Sequence, residues 1–311
     1  WGKKVEFLAP SNSHGGRNIK MKKSWIIGVF CLINIGLSAD DWGIAHENVL
    51  SIRGGFAWQQ DQYLSPLLYS GHQIGISNEW WQRFLPPQRK YSYNGRYSNY
   101  DHELLNDLLI DGWKHVGKIN ANFGWSYSNT HTSLIQSLGI SGGWGACYSW
   151  IWRIPKIELL VGPYLDVDWM NKKHSMNVNK PYSTDLAVNL CGMVGAGLGF
   201  EAGRTSYRIR YLAQINLMGA EYTPDYWQSY YEMIEGVWGI IRFSGPWNHL
   251  HLRHELTFDM QFKHSTWRIG ATHEYLEYGT EIMMFSREQV SAIIGCIWHY
   301  KVKTAESIAI W

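Results

Sequence analysis

Past residue 48 the chain alternates apolar and polar side chains one by one over long segments, and no other feature limits its fold so strongly. A strand sends successive side chains to opposite faces, so each such run makes a ribbon with one apolar and one polar side. In 206–218, Tyr207, Ile209, Tyr211, Ala213, Ile215 and Leu217 share one face, and Arg208, Arg210, Gln214 and Asn216 share the other. Segment 248–262 sets Leu250, Leu252, Leu256, Phe258, Met260 and Phe262 against His249, His251, Arg253, Glu255, Thr257, Asp259 and Gln261. In 112–127, Trp113, Ile119, Ala121, Phe123, Trp125 and Tyr127 back onto Lys114, Lys118, Asn120, Asn122 and Ser126. Turn residues interrupt the runs, which predicts strands near 48–58, 68–82, 112–127, 133–152, 155–168, 184–203, 205–218, 248–262, 265–277 and 288–302. Segment 231–243 also reads as a strand, which would move the count from ten towards twelve. Segment 83–111 fits no simple turn, and Tyr100–Ile110 within it reads as either a short helix or a strand.

Alternation does not say which face is inside, but the polar face does. In 137–149 it is Ser137, Gly139, Ser141, Gly143, Gly145, Cys147 and Ser149; in 187–201 it is Ala187, Asn189, Cys191, Met193, Gly195, Gly197, Gly199 and Glu201. A solvated surface would be rich in Lys and Glu, whereas these small groups suit a crowded interior. The opposite face carries Leu138, Ile140, Trp144, Tyr148, Trp150 and Trp152, as a lipid-facing band with an aromatic girdle would. Composition agrees, with 17% charged and 15% aromatic residues, against about 25% charged in an ordinary soluble domain. The expected fold is therefore all-β: an up-and-down antiparallel transmembrane β-barrel of ten strands, or twelve.

The N-terminal region reads as an export signal. Lys22 and Lys23 follow Met21, Trp25–Leu37 is an apolar run, and Gly36-Leu37-Ser38-Ala39 offers small residues for cleavage. Residues 1–20 are read as an upstream over-extension, 21–39 as the signal peptide and 40–311 as the barrel. Cys31 follows Val29-Phe30 without the small residue that a lipid-anchored cysteine needs. Residues 1–39 carry six of the 28 basic and one of the 26 acidic side chains, so the remainder is near neutral, at about −3. That balance gives no electrostatic basis for binding nucleic acid. Cys147, Cys191 and Cys296 remain, an odd number that argues against a disulfide framework. Cys147 and Cys191 face inward from strands that a third separates, beyond the reach of a disulfide.

With an even strand count both chain ends lie on the periplasmic side. Turns at 153–155, 203–205 and 263–265 then fall there, and the longer connections 169–183, 219–247 and 278–287 fall outside. Four phrases carry a resemblance: Tyr63-Leu64-Ser65-Pro66-Leu67, Asn177-Val178-Asn179-Lys180-Pro181, Pro224-Asp225-Tyr226-Trp227-Gln228-Ser229-Tyr230-Tyr231-Glu232, and Leu252-Arg253-His254-Glu255-Leu256-Thr257-Phe258-Asp259. Together, and in this order, they resemble a family of uncharacterised outer-membrane β-barrel proteins from Bacteroides-type bacteria. The resemblance implies an outer-membrane location and lends no activity and no catalytic residues. The long 83–111 connection and the tail from Tyr300 to Trp311 depart from it.

The densest polar ladder is His249, His251, Arg253, Glu255, Thr257 and Asp259, whose alternate positions stand about 6.6 Å apart along one lumen wall. Arg208 and Arg210 on the preceding strand, and Arg268 and Glu274 on the following one, are their expected partners. A network of paired charges filling a narrow barrel is favoured over a channel lining or a catalytic centre, because buried charge requires compensation. His249 and His251 would share a metal with Asp259 or Glu255, yet spacing supplies no third ligand, so no metal, cofactor or catalytic residue is assigned. Tyr222, Tyr226, Trp227, Tyr230 and Tyr231 form a candidate mouth loop, expected to fold inward as a plug over the lumen or to join the outer aromatic girdle rather than to bind sugars or a partner. The expected function is a structural or accessory barrel with a largely plugged polar lumen. The alternatives are a narrow channel for small solutes and a lipid- or lipopolysaccharide-modifying enzyme. The expected partners are outer-membrane lipid, lipopolysaccharide and a second outer-membrane protein.

Overall fold

The computed structural model describes residues 43–85, 111–153, 156–178, 182–222, 241–263, 265–279 and 284–302. The segment expected to be an export signal and residues 86–110 and 303–311 lie outside them. Eleven strands form one antiparallel sheet: β1 (Gly43–Asp61), β2 (Ser65–Leu85), β3 (Gly112–Ser128), β4 (Leu134–Arg153), β5 (Lys156–His174), β6 (Tyr182–Ala202), β7 (Thr205–Tyr222), β8 (Ile241–Ser244), β9 (His249–Gln261), β10 (Thr266–Gly279) and β11 (Met284–Val302). Neighbours in sequence pair in turn, and β1 pairs with β11 from Ile44↔Val302 to Asp61↔Phe285, which closes the sheet on itself. β7 pairs with β9 over its first half and with the four-residue β8 at its far end. β8 and β9 thus share one place in the wall, and the barrel has ten positions. The further strand read at 231–243 amounts, among the described residues, to Ile241–Ser244 and adds no position.

Strands run further than periodicity suggests, especially at the end carrying the β1–β2 turn. β5 continues to His174, so the β5–β6 connection is 175–181, not 169–183, and β11 begins at Met284. Past Asp168 the sequence Trp169-Met170-Asn171-Lys172-Lys173-His174 looks like a polar loop. It stays in the ladder because inward Lys172 is held by Asp61 and Asp185, while Asn171 donates to Thr184 at 2.8 Å. At the opposite end a two-residue connection joins β6 to β7, and four residues join β9 to β10. Gly203 takes φ +66° in the β6–β7 hairpin, the left-handed geometry that tight two-residue turns require.

A bulge in β7 changes what the alternation implies. Leu190 pairs with Met218 and Cys191 with Asn216, so Leu217 is skipped, and Leu217 and Met218 both face outward. Beyond the bulge Glu221 points inward, where strict alternation from Arg208 would have placed Tyr222.

Inside and outside are inverted relative to a soluble protein. Ile52 (68% exposed), Ile74, Ile76, Ile140, Val194 and Ile294 stand on the outer surface, while Asp259, Arg268 and Lys172 are almost fully enclosed. Trp113, Trp150, Trp152, Trp267 and Trp298 ring the outside near the short-turn end, and Trp58, Tyr127, Tyr182 and Trp247 lie towards the other. The small residues of β4 have a steric cause: a Cβ on Gly143 or Gly145 would stand 2.4–2.7 Å from the Tyr164 ring, which lies across them from β5.

Candidate functional site: the polar lumen

Inward charges meet in three layers. In the layer nearest the short turns, Arg208 and Arg268 both clamp Asp259, with Arg208 Nη2 at 2.7 Å and Arg268 Nε at 2.6 Å. The register makes this arrangement: Asp259 on β9 lies opposite Arg208 on β7 and Arg268 on β10. The arginines then reach across the barrel. Arg208 Nη2 donates to Glu47 Oε1 on β1 at 2.7 Å, and Arg268 Nη1 donates to Glu79 Oε1 on β2 at 2.9 Å. Arg210 also holds Glu79 at 2.9 Å and lies over the Trp81 ring, whose Nε1 donates to the same carboxylate. Below them Lys114 engages Glu158.

Above this, Lys118 on β3 bridges Glu79 and Glu255, joining opposite walls. In the middle layer Arg253 spreads its fork over two aspartates of β5, Asp166 and Asp168, at 2.6 Å each. His251 lies 3.2 Å from Glu274, which also receives Arg287 at 2.9 Å. In the outermost layer Lys172 sits between Asp61 (2.5 Å) and Asp185 (2.6 Å), its ammonium 3.7 Å from the Phe285 ring centroid. Beside it, His249 Nδ1 meets the bulge-directed Glu221 at 2.5 Å, and its ring stacks on Tyr278. Fully desolvated charge is tolerated only with such close compensation.

Of the nine residues expected to form the network, Arg208, Arg210, Asp259 and Arg268 lie in the first layer, Glu255 just above it, and His251, Arg253 and Glu274 in the middle layer. His249 stands with the outermost layer. The ladder therefore spans several sites, and Asp259 stands layers away from the two histidines. The partners that sequence reasoning missed are Glu47, Glu79, Lys118, Asp166, Asp168, Glu221 and Arg287. Four arginines among the expected residues face only three carboxylates, a mismatch that points to acids on non-adjacent strands. Of the candidate mouth loop, Tyr222 ends β7 and turns outward, while Tyr226, Trp227, Tyr230 and Tyr231 lie outside the described residues. Among the described residues, charged side chains of the wall itself reach across the lumen.

Asp166, Asp168 and His251 offer ligand atoms within 4.8 Å of one another, a different trio from the His-x-His grouping. Both aspartates are already engaged by Arg253, so a cation would have to displace a bidentate guanidinium. Cys147 and Cys191 are free thiols packed with Trp81, Val116, Leu160 and Tyr164.

The barrel resembles solved outer-membrane proteins. It is similar to the outer membrane protease OmpT from Escherichia coli, with 6% identity and a TM-score of 0.44, over 86% of this chain and 99% of that one. It is also similar to the transport unit of the autotransporter AIDA-I from Escherichia coli (7%, TM-score 0.36, 89% and 97%). The translocator domain of the autotransporter NalP from Neisseria meningitidis is a third (10%, TM-score 0.29, 88% and 95%). These likenesses concern barrel form and say nothing of activity. No curated protein matches the sequence. A family model described as "Protein of unknown function (DUF3316)" matches residues 38–301, nearly the whole barrel, and the chain belongs to that family.

Proposed function

We propose that the protein is an integral outer-membrane barrel of a Gram-negative bacterium, exported by the signal at 21–39, with a structural or accessory role and a lumen shut by its own ion pairs. The inverted polarity carries this reading: aliphatic and aromatic groups cover the outside while paired charges fill the inside. Strands of 17–21 residues in β1–β7 exceed the ~9–11 that cross a bilayer at a tilt, so the barrel would project beyond it. The outward apolar surface would meet lipid and lipopolysaccharide, and the projecting rim would be available to another outer-membrane protein.

A narrow solute channel and a lipid-modifying enzyme are compatible with the same fold. Planar-bilayer recording of the purified protein separates the first from a closed barrel. Silent bilayers with verified insertion are expected, and stable conductance steps would make the protein a channel. Hydrolysis or transfer on lipid A or phospholipid, abolished by His249→Ala, would make it an enzyme.

A further inference from the structure

Between the first and middle layers lies a chamber with about 50 Å³ of space for water centres. Arg53, Asn120 and Thr272 line it, each at least nine-tenths buried. Arg53 Nε and Nη2, Asn120 Oδ1 and Thr272 Oγ1 have no hydrogen-bond partner among the described residues. Two donors on a cation, one carbonyl acceptor and one hydroxyl thus border a single space. An unsatisfied buried polar group costs about 1–3 kcal/mol, more when charged, so orphans gathered around one void call for a ligand that bonds to them all.

Charge decides the class of ligand. The lining holds three cations, Arg53, Lys118 and Arg253, and three carboxylates, Glu79, Glu255 and Glu274. The set is balanced, so an anion beside Arg53 would add charge that nothing offsets. Size agrees with a neutral ligand. Roughly 10–15 Å³ of such space holds one water, giving room for about three to five.

We propose that this chamber binds a cluster of water-sized, uncharged hydrogen-bonding molecules, water itself foremost, which solvate Arg53. The lumen is then an occluded hydrated compartment with one lock below, centred on Asp259, and one above, centred on Arg253. This rests on the closed-lumen reading, but its first readout does not depend on where the barrel resides.

A high-resolution crystal structure of the detergent-purified protein should show ordered waters hydrogen-bonded to Arg53 Nε and Nη2, Asn120 Oδ1 and Thr272 Oγ1. A direct Arg53 pair with Glu255 or Glu274, or a halide on Arg53, overturns the assignment. Occlusion is tested with Thr272→Cys in a chain whose three barrel cysteines are replaced by alanine. A small methanethiosulfonate should modify it at least about 100-fold more slowly than Val178→Cys on the exposed rim, as a site reached only through local opening would be. Equal rates mean the compartment is open and overturn the proposal. Removing a lower-lock pair together (Asp259→Ala with Arg268→Ala) should accelerate the chamber reaction at least about tenfold. An unchanged rate in that variant, folded by its melting curve, refutes the separate lower lock.

Discussion

Asp259 accepts hydrogen bonds from two arginines and is itself fully enclosed. Neutralising it leaves both guanidinium groups short of an anion in a space water cannot readily enter, and loss of one partner of a buried pair costs about 3–5 kcal/mol. Asp259→Asn should lower the thermal unfolding midpoint of the detergent-solubilised barrel sharply. The exposed Lys156–Glu201 pair is the control: Glu201→Gln should change stability by no more than about 1 kcal/mol. Equal effects at the two positions would refute the buried network. Arg208, Arg210, Arg253 and Arg268 were legible as inward residues because alternation fixes their face. Their partners were less legible, because Glu47 and Glu79 meet them across the lumen and period-2 reasoning sees only a residue's own ribbon and its neighbours.

At the scale of the strand, the β7 bulge sets the chemistry of the rim. Were the same residues paired in strict alternation with no bulge, Tyr222 would turn inward and Glu221 outward, and His249 would lose its carboxylate. A double-mutant cycle between Glu221→Gln and His249→Gln should give a coupling of about 0.5–3 kcal/mol, and it should persist when Leu217 is deleted, because that deletion removes the bulge and leaves Glu221 inward in the same register. Coupling lost on that deletion would show that this register does not aim Glu221. Strand identity was readable throughout, since ten alternating runs correspond to ten wall positions. Strand ends were not, because Lys172 and Lys173 look like loop residues until Asp61, far away in sequence on β1, is seen to hold the first of them. A bulge leaves no mark in period-2 analysis either, where Leu217-Met218 reads as one more alternating step.

For the whole molecule, the outer surface and the lumen make separate predictions. Ile209 faces outward from β7 between Leu198 and Phe258, and an arginine on a barrel's lipid face costs up to about 2–4 kcal/mol. Ile209→Arg should therefore reduce assembly into the outer membrane, measured as heat-resistant folded protein in membrane fractions. Folded monomer obtained in quantity without detergent would defeat the membrane reading. Deleting 222–234 should leave planar bilayers silent, because three layers of wall side chains lie beneath the mouth. Conductance appearing on that deletion would show the connection, not the wall, to be the plug.

The cross-lumen pairs also bear on how the barrel is made. Glu47 on the first long strand meets Arg208, 161 residues later, and Arg268, 221 residues later. Contacts so distant in sequence form late, after the entropy of closing the intervening chain has been met. Until the first and last strands join, every one of these side chains can remain hydrated. An unfinished sheet therefore exposes a strongly polar concave face, which discourages it from collapsing on itself before it closes. Only seam closure brings the opposing charges together, so the last step of assembly is also the one that expels most of the water and makes the shape hard to reverse.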